Sequence, residues 1–130
     1  MNKLPADVSL SEPQLAVMRV LWSKPDSSVS DIAEALRSER PLAHTTVATM
    51  LTRLEKRALV ASTRDGRQFT YRATVTESQV QRSMVSGLLA NLFRGDASAL
   101  LSHLVREDDI GASDLERRRV LLGQRKDEDV

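Results

Sequence analysis

The stretch HTTVATMLTRLEKR, residues 44–57, decides how the rest of the chain is read. Its apolar residues Val47, Met50, Leu51 and Leu54 recur at three- and four-residue intervals, which sets them on one face of a helix and buries that face. At about 100° per residue, Thr45, Thr49, Thr52 and Lys56 fall on the opposite face. Thr46 and Arg53 lie on one flank, and the single acid, Glu55, lies toward the other. The outer face is therefore short hydroxyls and cations. Taken alone it is either a solvated surface or one shaped for a groove of DNA, and the flanking segments have to discriminate.

Upstream, LSEPQLAVMRVLW, residues 10–22, reads as a helix that Ser11 caps, with Gln14 completing a capping box and Pro13 tolerated in the first turn. Leu15, Met18, Leu21 and Trp22 share its inner face, which makes Trp22 a core anchor. SKPDSSV, residues 23–29, is a connector with a short strand expected at Val29. SDIAEALRSE, residues 30–39, is a second helix, capped by Ser30, with Asp31 and Glu34 at its positive end. Ile32, Ala35 and Leu36 are expected inward, and Pro41 stops the helix.

Downstream, LVASTRDGRQFTYRAT, residues 59–74, changes period. Leu59, Val60 and Thr63, then Phe69, Tyr71 and Arg72, suit two short strands, and Asp65-Gly66 between them is a strong hairpin signal. Arg64 and Arg67 sit at the tip. Three helices followed by a basic hairpin make a winged helix-turn-helix, so the fold class is mainly α with a small β-wing. In that arrangement the second helix braces the third, which enters the major groove while the hairpin reaches toward the neighbouring backbone.

Charge supports the same orientation. The chain has 130 residues and a formal net charge of +1, but residues 44–72 hold six Lys and Arg against two Asp and Glu. Residues 76–130 hold eight against ten. A basic front with an acidic rear suits a protein that meets a polyanion with one end, although a solvated charged face reads the same from charge alone. Apolar residues make up 41% and aromatics 3%, so the core is aliphatic. There is no cysteine, which excludes disulfides and thiolate metal sites. No signal-peptide run or membrane span is present, and a cytoplasmic protein is expected. Two isolated histidines, five glycines and no phosphate-binding glycine loop leave nothing from which to build an active site, so no enzyme, cofactor or metal is expected.

The remainder is helical and widely apolar. TESQVQRSMVSGLLANLF, residues 76–93, opens on Thr76 as cap and carries Val80, Met84, Leu88 and Leu92 along one stripe, with Val85 and Leu89 beside it; Gly95 ends it. DASALLSHLV, residues 96–105, supplies Leu100, Leu101, Leu104 and Val105, and SDLERRRVLLGQR, residues 113–125, supplies Leu115, Leu121 and Leu122. Three short helices with such wide apolar faces cannot cover one another, so a second copy of the chain is expected to cover them, as a twofold homodimer. The expected division is a winged-helix DNA-binding domain over 1–75, a helical dimerisation domain over 76–123, and a disordered tail over 124–130. Arg117, Arg118 and Arg119 read as a solvated helix face beside Asp114 and Glu116, with a second nucleic-acid patch as the alternative. His103 reads as a buried or interface histidine ahead of a metal ligand. His44 is either a phosphate contact or a plain surface residue.

Three stretches, SEPQLAVMRVLW, LAHTTVATMLTRLEKRALV and RDGRQFTYRA, together with the leucine-rich tail, resemble the penicillinase-repressor family of BlaI and MecI type, over about Leu10 to Leu122. The resemblance implies a winged-helix homodimer that represses by occupying a palindromic double-stranded DNA operator, often with TACA and TGTA elements. It implies as partner a membrane-embedded sensor metalloprotease whose signal leads to cutting of the repressor in its dimerisation region. The family's recognition-helix positions fall on Thr45, Thr46, Ala48, Thr49 and Arg53. Thr46 and Thr49 are then expected to face bases, while Thr45, Thr52, Arg53 and Lys56 hold phosphate and Arg64 and Arg67 hold backbone at the wing.

Departures from the family pattern are informative. The Asn-Phe pair cut in the penicillinase and methicillin repressors is replaced here by His103-Leu104, which puts sensitivity to such a protease in doubt. The cysteine-rich tail of copper-responsive relatives is absent, which argues against a copper sensor. Ala48 and Ala43 stand where methicillin-type repressors have an arginine and a serine, and Thr45 is expected to substitute as the helix cap. The rival reading is a winged-helix protein-interaction module that does not bind DNA. Arg53, Lys56, Arg64 and Arg67 discriminate between the two, because only DNA binding makes their removal flatten a salt dependence.

Overall fold

A computed structural model describes residues 8–106, together with 116, 117 and 119. The element order is α1 (Glu12–Ser23), α2 (Val29–Ala35), α3 (His44–Lys56), β1 (Val60–Asp65), β2 (Gln68–Ala73), α4 (Glu77–Phe93) and α5 (Ala97–Arg106). This is a winged helix followed by two helices, mainly α with a two-stranded antiparallel wing, as the pattern of the sequence predicts. The chain divides into two compact units, Met1–Ser86 and Gly87–Val130.

Local rules set most of the boundaries. Ser11 and Gln14 form the expected capping box at α1, with Pro13 in its first turn. Thr76 caps α4 in the same way: its hydroxyl accepts from the Gln79 amide at 3.1 Å while the Gln79 side chain accepts from the Thr76 amide at 2.8 Å. The second helix departs from expectation. Its cap is Ser28, not Ser30, because Asp31 three residues on closes a reciprocal box with Ser28 that Ser30 has no partner to make. The helix then packs Ile32, Ala33 and Leu36 inward and leaves Ala35 exposed, and it has already unwound into a turn before Pro41. The strand expected at Val29 is a single bridge two residues earlier: Ser27 and Tyr71 exchange both backbone hydrogen bonds, at 3.1 and 2.8 Å, and so fasten β2 to the connector after α1.

The Asp31 carboxylate is held below the usual range, chiefly by the Ser28 amide and next by the Ser28 hydroxyl. A carboxylate depressed on folding contributes stability that is full above its unfolded pKa and is lost as pH falls through its folded one. The stability difference between the natural chain and Asp31→Asn should therefore narrow as a urea titration is repeated at successively lower pH through the carboxylate range; a gap independent of pH would remove this role.

One aliphatic core unites the winged unit. Val17, Met18 and Leu21 from α1, Ile32 and Leu36 from the α2 segment, and Val47, Leu51 and Leu54 from α3 are all buried, together with Leu59, Val60, Val75 and Val80. Trp22 packs against this cluster and its indole Nε1 donates to the Val75 carbonyl at 2.8 Å, tying the end of α1 to the chain leaving the wing. Val80, expected in the pairing stripe, is only 1% exposed and is spent on this core, and Met84 packs beside it. The winged unit consequently runs past residue 75 to Ser86.

The end of α3 carries a strained cap. Leu59 donates its amide to the Leu54 carbonyl and Ala58 to the Glu55 carbonyl, at 3.0 and 2.9 Å, which is the paired bonding of a Schellman motif, with the apolar Leu54 and Leu59 both buried as the motif prefers. The residue between them, Ala58, has φ +61°, a left-handed conformation that glycine takes freely. Ala58→Gly is therefore expected to stabilise the chain by about 1 kcal/mol, read as a raised urea midpoint. A lowered midpoint would mean that the strain is absent.

In the second unit, Gly95 (φ +82°) ends α4 by donating its amide back to the Leu89 carbonyl at 2.9 Å. The Phe93 and His103 rings meet there at 6.3 Å and 60°. Leu115, Leu121 and Leu122, and the expected disordered tail over 124–130, lie outside the described residues.

Candidate nucleic-acid interface

The burial of α3 divides it as its sequence requires. Val47, Leu51 and Leu54 are fully buried and Met50 partly so, while Thr45, Thr46, Thr49, Thr52, Arg53 and Lys56 are all exposed. Thr45 does not replace the missing cap: Ala43 occupies the cap position and, among the described residues, no side-chain capping hydrogen bond is made there. Those amides are left for solvent or for an anion. Further along the helix, the Thr49 hydroxyl donates to the Thr45 carbonyl at 2.9 Å and the Thr52 hydroxyl to the Ala48 carbonyl at 3.0 Å.

Glu55 explains how the wing is set against this helix. One of its carboxylate oxygens accepts both the Ser62 amide, at 3.0 Å, and the Ser62 hydroxyl, at 2.6 Å. The lone acid of α3 is therefore occupied in joining helix to hairpin rather than standing on the threonine face. The Tyr71 hydroxyl, opposite Ser62 in the strand register, is raised above its ordinary value by burial and then by Glu55.

Register decides which wing residues share the side of Ser62. Strands pair Val60 with Ala73, Ser62 with Tyr71 and Arg64 with Phe69, and alternation puts these six on one face. Toward the core Val60 is buried and Ser62, Tyr71 and Ala73 are half-buried; toward the tip the face emerges as Arg64 and Phe69. The other face carries Thr63, Thr70 and Arg72, with the Arg72 guanidinium donating to the Thr63 hydroxyl at 3.0 Å. Asp65 pairs with Gln68, so the two-residue turn is Gly66-Arg67, shifted by one from the Asp65-Gly66 pair that the sequence favours. Gly66, with φ +64°, takes the first central position, the pattern of a type II′ turn. Arg67 is thereby placed at the very tip, and Arg64 is steadied there by its Nε donating to the Gly66 carbonyl at 3.1 Å.

Phe69 is the residue that sequence reasoning missed. Alternation with Tyr71 and Ala73 assigns it inward, yet it is 50% exposed, because the hairpin outruns the core beneath it. An exposed aromatic beside Arg64, on the face that meets α3 through Ser62, adds an apolar element to an otherwise cationic wing.

No group of three or more His, Cys, Asp or Glu that could hold a metal is found among the described residues, and no helix among them is long and apolar enough to cross a membrane. His103 and Leu104 both lie within α5, His103 exposed and Leu104 half-buried. His44 is exposed at the start of α3, and Arg119 pairs with Glu116 at 4.0 Å in the manner of a solvated helix face.

Comparison with known proteins agrees with this geometry. A penicillinase repressor family model matches residues 10–124. Over 88% of this chain and 83% of its own length, "Transcriptional regulator BlaI" of Mycobacterium tuberculosis is 35% identical. "Methicillin resistance regulatory protein MecI" of Mammaliicoccus sciuri is 24% identical over 89% of this chain and 94% of its own. Among solved structures, the DNA-binding domain of the repressor BlaI superposes with a TM-score of 0.50 at 29% identity, covering 60% of this chain and 92% of that one. A threonine and cation helix locked to a basic hairpin, in a chain that the family model spans through its helical tail, belongs to the penicillinase repressor family of winged-helix DNA-binding transcriptional repressors, which are not enzymes.

Proposed function

We propose that this repressor acts as a homodimer that occupies a palindromic operator, with one α3 in each of two major grooves on the same side of the duplex. The observation that carries the reading is the Glu55–Ser62 link, which holds the exposed threonine face of α3 and the Arg64 side of the wing in one fixed relation. Thr46 and Thr49 face base edges. Arg53 and Lys56 on the helix, Thr45 and the uncapped first-turn amides, and Arg64 and Arg67 on the wing hold phosphates, which supply register and affinity without reading sequence.

Dimerisation is supported by apolar surface left open in the single chain. Val85, Leu88 and Leu92 on α4, and Leu101 and Val105 on α5, are exposed, Leu92 by 67%. Leu100 and Leu104 are half-buried. A second copy covers these side chains, and twofold symmetry then fixes half-sites about one helical turn, or a multiple of it, apart. Release follows loss of dimerisation, or cutting of the tail by a membrane sensor metalloprotease. For the second route, the His103-Leu104 bond would first have to leave its helix.

Selection of bound fragments from a random duplex pool by the intact chain tests the proposal. Enrichment of inverted repeats with that spacing is expected. Recovery of single, unrepeated elements would overturn the dimeric mode.

A further inference from the structure

Two of the exposed threonines of α3 have already committed their only hydroxyl proton. Thr49 donates to the Thr45 carbonyl and Thr52 to the Ala48 carbonyl, one helical turn back in each case. A threonine hydroxyl has one donor and two acceptor sites, so what these side chains still offer outward is an oxygen lone pair and a methyl group. The bond to the carbonyl also fixes χ1, and with it the direction of the methyl.

That surface is poorly suited to a phosphate, whose oxygens only accept hydrogen bonds. It matches one kind of base pair in the major groove. An A·T pair presents the thymine C5-methyl together with the adenine N6 amino donor; guanine presents only acceptors there, and cytosine has a donor but no methyl. Thr49 and Thr52 are three residues apart, hence neighbours on one helix face about 5–6 Å apart, close enough to address neighbouring base pairs. Resting on the DNA-binding reading above, we infer that Thr49 and Thr52 form a methyl and acceptor surface that selects A·T pairs by packing on thymine methyls, and that Thr52 reads bases rather than holding phosphate.

The test uses the intact chain and the duplex it selects from a random pool. Replacing thymine by deoxyuridine in the half-sites removes only the C5-methyl. Affinity is expected to fall about fourfold for each methyl lost from a contact, the worth of one buried methyl-sized group. The double variant Thr49→Ser, Thr52→Ser keeps the hydroxyls and loses the methyls. It should bind the thymine duplex as weakly as the natural chain binds the uracil duplex, and should no longer distinguish the two. The double variant Thr49→Val, Thr52→Val keeps the methyls and should still discriminate. A natural chain that binds both duplexes equally overturns this inference while leaving DNA binding intact, as does a serine variant that remains as methyl-sensitive as the natural chain. Failure of the natural chain to retain any duplex would instead overturn the DNA-binding reading itself.

Discussion

Replacing Arg53, Lys56, Arg64 and Arg67 together by alanine should abolish most of the affinity for every duplex, whatever its sequence. All four side chains are exposed, and the Arg64 bond to the Gly66 carbonyl is the single hydrogen bond found for them among the described residues. The melting transition should therefore stay close to that of the natural chain. A dimer that places all four on phosphate neutralises eight charges, and the slope of log K against log salt should flatten by about seven when they are removed. For the natural chain, six to ten such contacts mean a loss of roughly 10³–10⁵ in affinity between 50 and 200 mM salt. Thr46→Ala should behave differently: it should cost on the order of 1–3 kcal/mol on the preferred duplex and little elsewhere, with the salt slope unchanged. Binding curves across a salt series separate the two classes. A quadruple variant with an unaltered slope would move the interface away from α3 and the wing, and would favour a protein-interaction module.

The second large effect belongs to the tail. Charging its open apolar surface with Leu92→Glu and Leu101→Glu should shift the chain from dimer to monomer in sedimentation at micromolar concentration. Both residues lie in the second unit, Gly87–Val130, and neither belongs to the buried cluster of the winged unit. The winged unit should stay folded and keep its affinity for a single half-site. Affinity for the full palindrome should fall by about 10²–10⁴, the gain that linking two binding heads provides. Retention of the dimer would show that other surfaces pair the copies.

The fold was legible wherever a short-range rule operated. The capping box at Ser11, the cap at Thr76, helical periodicity in α3 and the presence of a hairpin after it needed no tertiary information, and the structure follows them. Misreadings arose where two local signals competed or where distant segments decided the outcome. Ser28 and Ser30 both stand at the start of the second helix, and the reciprocal partner Asp31 selects Ser28 as its cap. Val80 continues a convincing stripe with Met84, Leu88 and Leu92, yet it is claimed by a core assembled from residues far earlier in the chain. The hairpin turn shifted by one because Gly66 fits the first central position of a type II′ turn, which an Asp-Gly pair does not announce.

At the interface the exposed cations and threonines were legible from periodicity alone. Two features were not. The Glu55–Ser62 link joins residues whose pairing depends on how the wing folds back onto α3. The hydroxyl bonds of Thr49 and Thr52 depend on rotamers, and no sequence pattern specifies which way a threonine on a helix turns.

Central to the account are two winged units, coupled through their helical tails, that engage both halves of one operator together. The most direct measurement titrates the intact chain onto its selected duplex and onto the same duplex with one half-site scrambled, at one fixed salt concentration, and weighs each complex. Two chains per intact duplex are predicted, with a loss of about 10²–10⁴ in affinity when one half is scrambled. One chain per duplex, with equal affinity for both, would contradict it.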